Sequence, residues 1–578
     1  MKYYYKHICG LLFLALVAVG CSQDDVAAGD GTYGGDGVSE SYVTLNFTMA
    51  FAGQGTRSNP TGGEGCDDTE AGQDYENEIS NAVAFLYQDD AGVNSSADPQ
   101  VTPIYFSTVN KVAVGEYSTN PVRITLPNGD YHIIVVANPG SGQWWNSTTT
   151  LNAVRDYLVY SPTSQSSQTS NPTAWTEAED GYSDFLMSSA SDALFTLESN
   201  PQSDPLDVDV SVERMAARID YQAEGSFPCD DQTGSVEILG AAIVNDYNAG
   251  SYLLKRVAEQ VGTQVSYLGD EVAGQNYVID PKTNGTKTSS DYKAGTYYPD
   301  IIDHADDWAD PNVWADYVKK GTPIIVGNET WNRIGYTMEN TTPTTSDLAS
   351  TNTGVVFKAR FSPATNTVKG NYDYSRPATF FSYRGALYAS MEDVMRSVYG
   401  DAFNSFNASI SACTSWDDVA NFINTELNQL DPSGYYAFLK GKVDAGGEFS
   451  VTGLKWSEYM LANCGYSSTT SGNNVAVKLD QGSGVVTRVA LRPYGVSTYE
   501  NATCYYTWWV KHSNDNDNSK VGPMEYGIVR NNIYKLTVKS VAGLGGDVPG
   551  GTPENGDDIV IHVKVNDWML LDKEEIIM

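Results

Sequence analysis

The sequence is short of positive charge. Lys and Arg total 35 against 72 Asp and Glu, giving a formal charge of −37. Such a chain does not favour a phosphate backbone or an anionic lipid surface, which sets nucleic-acid binding aside. Histidine is scarcer still. His132, His304, His512 and His562 each lack another histidine near enough in sequence to suggest a metal pair. The 7 cysteines include no Cys-x-x-Cys pair, so a zinc cluster is unsupported. Apart from Cys9 and Cys21 an odd set remains (Cys66, Cys229, Cys413, Cys464 and Cys504). That excludes a complete disulfide framework and leaves one bridge open, between partners the sequence does not name. No Gly-x-Ser-x-Gly elbow marks a nucleophile. The glycines between Gly543 and Gly551 are interleaved with Pro549 as a linker, not as a phosphate cradle. Asp515, Asp517 and Ser519 have the spacing that opens a calcium loop, but Lys520 stands where Gly is needed and no closing Glu follows. The chain therefore reads as a non-enzyme with no cofactor and no metal.

Apolar and aromatic residues are plentiful. Hydrophobic residues make up 41% of the 578, with 38 Tyr and 11 Trp, too much apolar surface for a disordered chain. The 53 Gly, set among Thr, Ser, Val and Tyr, favour short strands joined by polar turns. The length implies more than one domain. Trp144-Trp145 and Trp508-Trp509 are candidates for a carbohydrate platform, although strand alternation sends one ring of each pair inward.

Residues 1–20 read as a secretory signal, with Lys2 and Lys6 ahead of an apolar stretch too short to span a bilayer. It ends in Ala18-Val19-Gly20-Cys21, which resembles a bacterial lipobox and makes Cys21 the lipidation site. Ser22-Gln23-Asp24-Asp25 resembles the acidic signal that sends lipoproteins to the outer face of the outer membrane. Residues 21–40, rich in glycine, make a flexible tether.

The cleanest period-two run follows. Val43, Leu45, Phe47, Met49 and Phe51 alternate with smaller or polar residues, which places five apolar side chains on one strand face. A polar Gly/Asp-rich loop is expected from Ala52 to about Tyr75. Within it Arg57 is the first Lys or Arg after Lys6, in a segment with no capacity to pack, where proteases cut. Further expected strands are Ala82–Tyr87, then Val122–Leu126 and Tyr131–Ala137 as a hairpin about Asn128-Gly129. Val208–Tyr221 reads as one strand, and His132 reads as a solvent-facing strand residue. A domain boundary is expected near Gly225, dividing 41–225 from 226–578. The second half shows strands at Pro323–Val326, Val355–Phe361 and Phe380–Tyr383. It also carries a helical insertion over roughly 390–430, with Ser390 and Ser415 as N-caps. Ile528–Val538 is a strand broken by a polar kink. Ile559, Ile561, Val563 and Val565 then share a face ahead of Trp568 and Leu570, apolar positions that need a seat in this chain or another.

The run Ile528-Val529-Arg530-Asn531-Asn532-Ile533-Tyr534-Lys535-Leu536-Thr537-Val538, followed by a Gly/Pro linker and Val563-Lys564-Val565-Asn566-Asp567-Trp568, resembles the C-terminal signature of Bacteroidales fimbrillins. The likeness is greatest to the major shaft subunit of the short (minor) fimbriae, a type V pilus pilin. Val212-Glu213-Arg214-Met215-Ala216-Ala217-Arg218 is similar to a strand motif in the middle of the same proteins. The resemblance implies an all-β fold of two tandem transthyretin-like β-sandwich domains, here with a small helical insertion in the second. It implies a lipid-anchored precursor in the cell outer membrane, later an extracellular fimbrium serving adhesion and biofilm formation. It also implies cutting by an Arg-specific trypsin-like protease, at Arg57-Ser58 in this chain. The first strand then leaves, and residues 559–578 of a neighbour replace it. The expected partners are identical subunits head to tail, anchor and tip subunits, and a surface receptor of unknown identity. Two other expectations stand beside this one: a fimbrial tip or accessory adhesin, and a glycan-binding lipoprotein that does not polymerise.

Overall fold

The computed structural model describes residues 38–49, 68–113, 116–140, 142–162, 172–178, 181–223, 225–258, 264–268, 277–283, 285–303, 318, 321–326, 328–341, 351–464, 466–471, 474–479, 491, 494–512, 524–550 and 559–569. The protein is mostly β, as composition implied. No described helix is long and apolar enough to cross a membrane.

In the N-terminal half ten strands join in one sheet. Its central path runs Ala82–Tyr87, Gly129–Ala137, Met187–Ser189, Leu206–Arg214, Val38–Met49 and Glu116–Thr119. The sheet surrounds one core in which Phe85, Ile134, Val135 and Leu186 are fully buried. Burying both faces of the inner strands is why Ala82–Tyr87 is apolar throughout and not alternating.

The expected hairpin about Asn128-Gly129 does not form. Val122–Pro127 pairs with Val38–Met49, whereas Gly129–Ala137 pairs with Ala82–Tyr87 and Ala193–Leu197. Gly129, at φ +152°, turns the chain from one part of the sheet to another. An Asn-Gly step signals a reversal, but here the apolar demand of two separate neighbours decides where each arm goes. His132 also departs from expectation. Its strand has a neighbour on both sides, and its Nδ1 lies 3.0 Å from Asp192 with only 17% of the side chain exposed.

The run read as one strand over 208–221 is two, Leu206–Arg214 and Ala217–Gln222, in different sheets. The chain passes from the first half to the second at Met215-Ala216, upstream of Gly225. In the second half Asp68–Ala71, Ile559–Met569, Asn532–Val541, Ala217–Gln222, Glu329–Thr337 and Thr322–Val326 form one sheet. Ser226–Pro228, Gly234–Val244, Gly354–Pro363 and Thr503–Trp509 form the other. Ile219, Leu536 and Val538 from the first sheet share a core with Val236, Phe357, Phe361 and Tyr506 from the second, so the two sheets sandwich it. The polar kink ahead of Asn532 is real: Asn531 sits at φ +56°, a conformation asparagine tolerates.

The helical insertion is larger than its sequence suggested. Met391–Tyr399, Phe406–Ala412, Trp416–Glu426, Tyr435–Ala445 and Trp456–Cys464 all contribute. Ser390 and Ser415 cap as expected, accepting from the backbone N–H of Asp393 and Asp418. Val419, Phe422 and Ile423 pack with Phe406, Ile410, Leu439 and strand residues Phe381 and Tyr383. The last two helices escaped notice because weak amphipathy leaves no clear stripe.

Cys504 is fully buried in the sandwich, and burial pushes its thiol up to about 12. Alkylation with iodoacetamide is expected to spare Cys504 in the native protein and to label it in guanidinium, read by peptide mass mapping. Labelling at equal rates in both states would show that the sandwich opens freely.

Candidate functional site

The opening strand Val38–Met49 occupies the middle of its sheet. It runs parallel to Leu206–Arg214, in register from Val43↔Leu206 to Met49↔Val212. On its other side it is antiparallel to Val122–Pro127 over residues 38–43 and to Glu116–Thr119 at Asn46 and Phe47. Of the face foreseen from period two, Val43, Leu45 and Phe47 are buried to 2% exposure or less. The Met49 side chain, Phe51, Arg57, Ser58 and Cys21 lie outside the described residues. The strand is further tied by polar contacts of its backbone and of Asn46 on the opposite face. Leu45 N–H donates to Thr119 Oγ1 at 2.9 Å, Tyr42 N–H to the Asn200 carbonyl at 2.9 Å, and Asn46 Nδ2 to Asp209 Oδ1 at 3.3 Å.

The closing strand Ile559–Met569 is likewise seated in this chain. It is antiparallel to Asn532–Val541, from Val541↔Ile559 to Asn532↔Asp567. Ile559 and Ile561 are buried in the sandwich core and Val563 is half-buried. The side chains of Val565 and Trp568, and Leu570 as a whole, lie outside the described residues. Among the described residues, the strand paired with its other side is Asp68–Ala71, in parallel with Asn566–Met569.

The loop expected to stay polar to Tyr75 instead holds the Asp68–Ala71 strand and the short helix Asp74–Asn77. These residues enter a buried ionic cluster between the two halves. Arg218 is 0% exposed, and its guanidinium meets Glu76 at 2.9 Å, Asp220 at 3.0 Å and Glu70. Lys535 also pairs with Glu70. Arg214, also 0% exposed, donates Nε–H to the Glu76 carbonyl at 2.9 Å and reaches Asn77 and Asn531. Burial pulls Arg214 down to about 9, while burial raises the Asp220 carboxyl to about 6. The signal that could have found this cluster is two arginines four apart flanking the apolar Met215-Ala216-Ala217, because a buried guanidinium demands carboxylate partners. Nothing in the sequence said that Glu70 and Glu76 supply them.

Neither tryptophan pair makes an open platform. Trp145 and Trp509 are buried, and Trp144 stacks on Tyr157 at 3.9 Å between ring centroids. Among the described residues no group of His, Cys, Asp and Glu is arranged to hold a metal.

No curated protein matches the sequence. Residues 497–574 match the family described as "Major fimbrial subunit protein type IV, Fimbrillin, C-terminal". Among solved structures, a fimbrilin from Porphyromonas gingivalis aligns with 92% of this chain and 99% of its own, at 13% identity and a TM-score of 0.34. A tip fimbrial protein from the same organism aligns with 92% and 100%, at 10% identity and a TM-score of 0.31. A fimbrial assembly protein from Parabacteroides distasonis aligns with 56% and 96%, at 12% identity and a TM-score of 0.22. The chain is thus similar to the fimbrillins through its last segment, the one that contains the whole of the Ile559–Met569 strand.

Proposed function

We propose that this protein is a subunit of a surface fimbria, that its place is in the shaft, and that it polymerises by exchanging strands. On this reading the precursor is exported as a lipoprotein acylated at Cys21. An Arg-specific protease cuts between Arg57 and Ser58, the Val38–Met49 strand departs, and the Ile559–Met569 strand of a neighbour enters the vacated groove. The carrying observation is the seat of the opening strand: bonded on both sides, buried at Val43, Leu45 and Phe47, and joined to the next described strand through a stretch containing Arg57. Losing such a strand exposes two sheet edges and an apolar groove at once, which a strand of similar length and period-two spacing fills. The 12 residues of the opening strand and 11 of the closing strand meet that requirement. Donation from one copy to the next never closes on itself, so the product is a filament.

The ionic cluster supports the same sequence of events. Glu70 and Glu76 lie after Arg57, so a cut there leaves them clamped by Arg218 and frees only what lies before. Adhesion and biofilm formation follow as the output of such a filament.

Limited trypsin treatment of the folded protein is expected to cut at Arg57 and to yield a ladder on native gels. Persistent monomers after complete cutting would end the strand-exchange reading. If the ladder still forms after residues 559–578 are deleted, the chain accepts a strand without needing to donate one, which fits a tip or accessory subunit.

A further inference from the structure

A second buried charge cluster lies in the C-terminal half, apart from every strand invoked in assembly. Lys287 Nζ sits 2.6 Å from Asn340 Oδ1, 2.8 Å from Asp280 Oδ2 and 2.6 Å from the Thr341 carbonyl. The side chains of Lys287 and Asp280 are 2% and 0% exposed, and Asn340 is 0% exposed. Lysine is seldom so deep unless it is paired, and a buried amine is the more easily deprotonated. The face of the Tyr247 ring lies 4.6 Å from Nζ, and Tyr247 donates its hydroxyl to Asp280 at 3.1 Å.

We propose that Lys287 and Asn340 are joined by an intramolecular isopeptide bond that the folded protein forms on itself, with Asp280 carrying the proton. Three features of the geometry support this. The amine is hydrogen-bonded to the carboxamide oxygen, so the two reacting groups are already held side by side and the entropic cost of bringing them together is spent in folding. The carboxamide is held from both sides. Asn340 Nδ2 donates to the Thr351 carbonyl at 2.9 Å and to Thr353 Oγ1 at 2.8 Å, and its backbone pairs both ways with Ile528. Asp280 is fixed in turn by the N–H and hydroxyl of Thr341 and by the N–H of Lys282, so its carboxylate cannot swing away. The dry setting also favours the uncharged amine, and burial pulls Lys287 below the usual lysine range.

The step balances without a redox partner. The Lys287 ammonium passes a proton to the Asp280 carboxylate, and the freed Nζ lone pair attacks the Asn340 side-chain carbonyl carbon. A carbon–nitrogen bond forms there. Asp280 returns the proton, the original carbon–Nδ2 bond breaks, and nitrogen departs with the remaining amine proton as ammonium. One lysyl ammonium and one primary carboxamide become one secondary amide and one ammonium ion. The bond closes a loop between residues 53 apart, tying the connection that holds Lys287 to the segment just after the Glu329–Thr337 strand.

The test is the intact mass of the purified folded chain. It is expected to be lighter than the sequence mass by one ammonia, and a protease digest should yield a branched peptide holding both Lys287 and Asn340. Lys287→Arg and Asp280→Asn should each restore the full mass. Asn340→Asp, which changes the side chain least, should lose one water instead. A folded wild-type chain of full mass, digesting to separate linear peptides around Lys287 and Asn340, would overturn the proposal and leave a plain ion pair. The readout does not depend on assembly, so it stands or falls apart from the fimbrial reading.

Discussion

A chain that begins at Ser58 is expected to lose most of its resistance to urea and to recover it when a peptide of residues 38–49 is added. The opening strand contributes three fully buried large side chains, Val43, Leu45 and Phe47. At about 1.5–3 kcal/mol each, they come to roughly 5–9 kcal/mol. Whole domains are stable by only about 5–15 kcal/mol. Two rows of sheet hydrogen bonds go as well, and on the Leu206–Arg214 side they run unbroken through seven paired positions. The truncated chain should therefore unfold at a far lower urea midpoint or associate at once. Adding the peptide should restore the midpoint, and Phe47→Asp in the peptide should abolish the rescue, because a carboxylate cannot follow phenylalanine into that core. A peptide of residues 559–569 should rescue in place of the native one if strands exchange. A truncated chain that stays monomeric with an unchanged midpoint would show that the groove is not worth filling.

Replacing Arg218 with methionine is expected to cost about 3–5 kcal/mol, the usual penalty for breaking a buried ion pair from one side. Glu70, Glu76 and Asp220 all face that guanidinium, and Lys535 and Arg214 cannot between them neutralise three carboxylates. The loss should deepen as pH rises. Burial already raises Asp220 from 3.8 to about 6, so the folded state binds its proton more readily than the unfolded state does. Stability tied to that proton is therefore lost as pH climbs from 3.8 to about 6, and without Arg218 the window should extend upward. Urea midpoints of the variant at acidic and mildly basic pH check both claims. Arg123→Met supplies the contrast. Arg123 pairs with Glu40 at 2.5 Å, but both side chains are well exposed, so the change should cost no more than about 1 kcal/mol. Equal losses at the two sites would contradict the account of the cluster.

Where one face of a strand meets a core and the other meets polar groups, the sequence showed the strand plainly. Val43, Leu45 and Phe47 were legible for that reason, as were Ile559 and Ile561. Helix caps were legible because Ser390 and Ser415 act within four residues of themselves. Pairing between distant strands was not. Nothing local in Val122–Pro127 says that it turns from its immediate successor to the opening strand. The role of Glu70 was hidden for the same reason, since its partners Arg218 and Lys535 are far along the chain. The break at Met215-Ala216 lay inside a stretch, 208–221, that reads as one continuous strand. It became visible only when Arg214 and Arg218 were seen to serve different sheets.

The mixed surroundings of the opening strand have one more consequence. If strands exchange as proposed, a parallel companion on one flank and antiparallel ones on the other mean that backbone bonding alone gives an incoming segment no compass: either heading satisfies one flank in the familiar manner. The heading must then be read from the pockets that Val43, Leu45 and Phe47 vacate, spaced along the groove with the largest toward one end. Which way successive copies point along a fibre would be written in the sizes of three side chains.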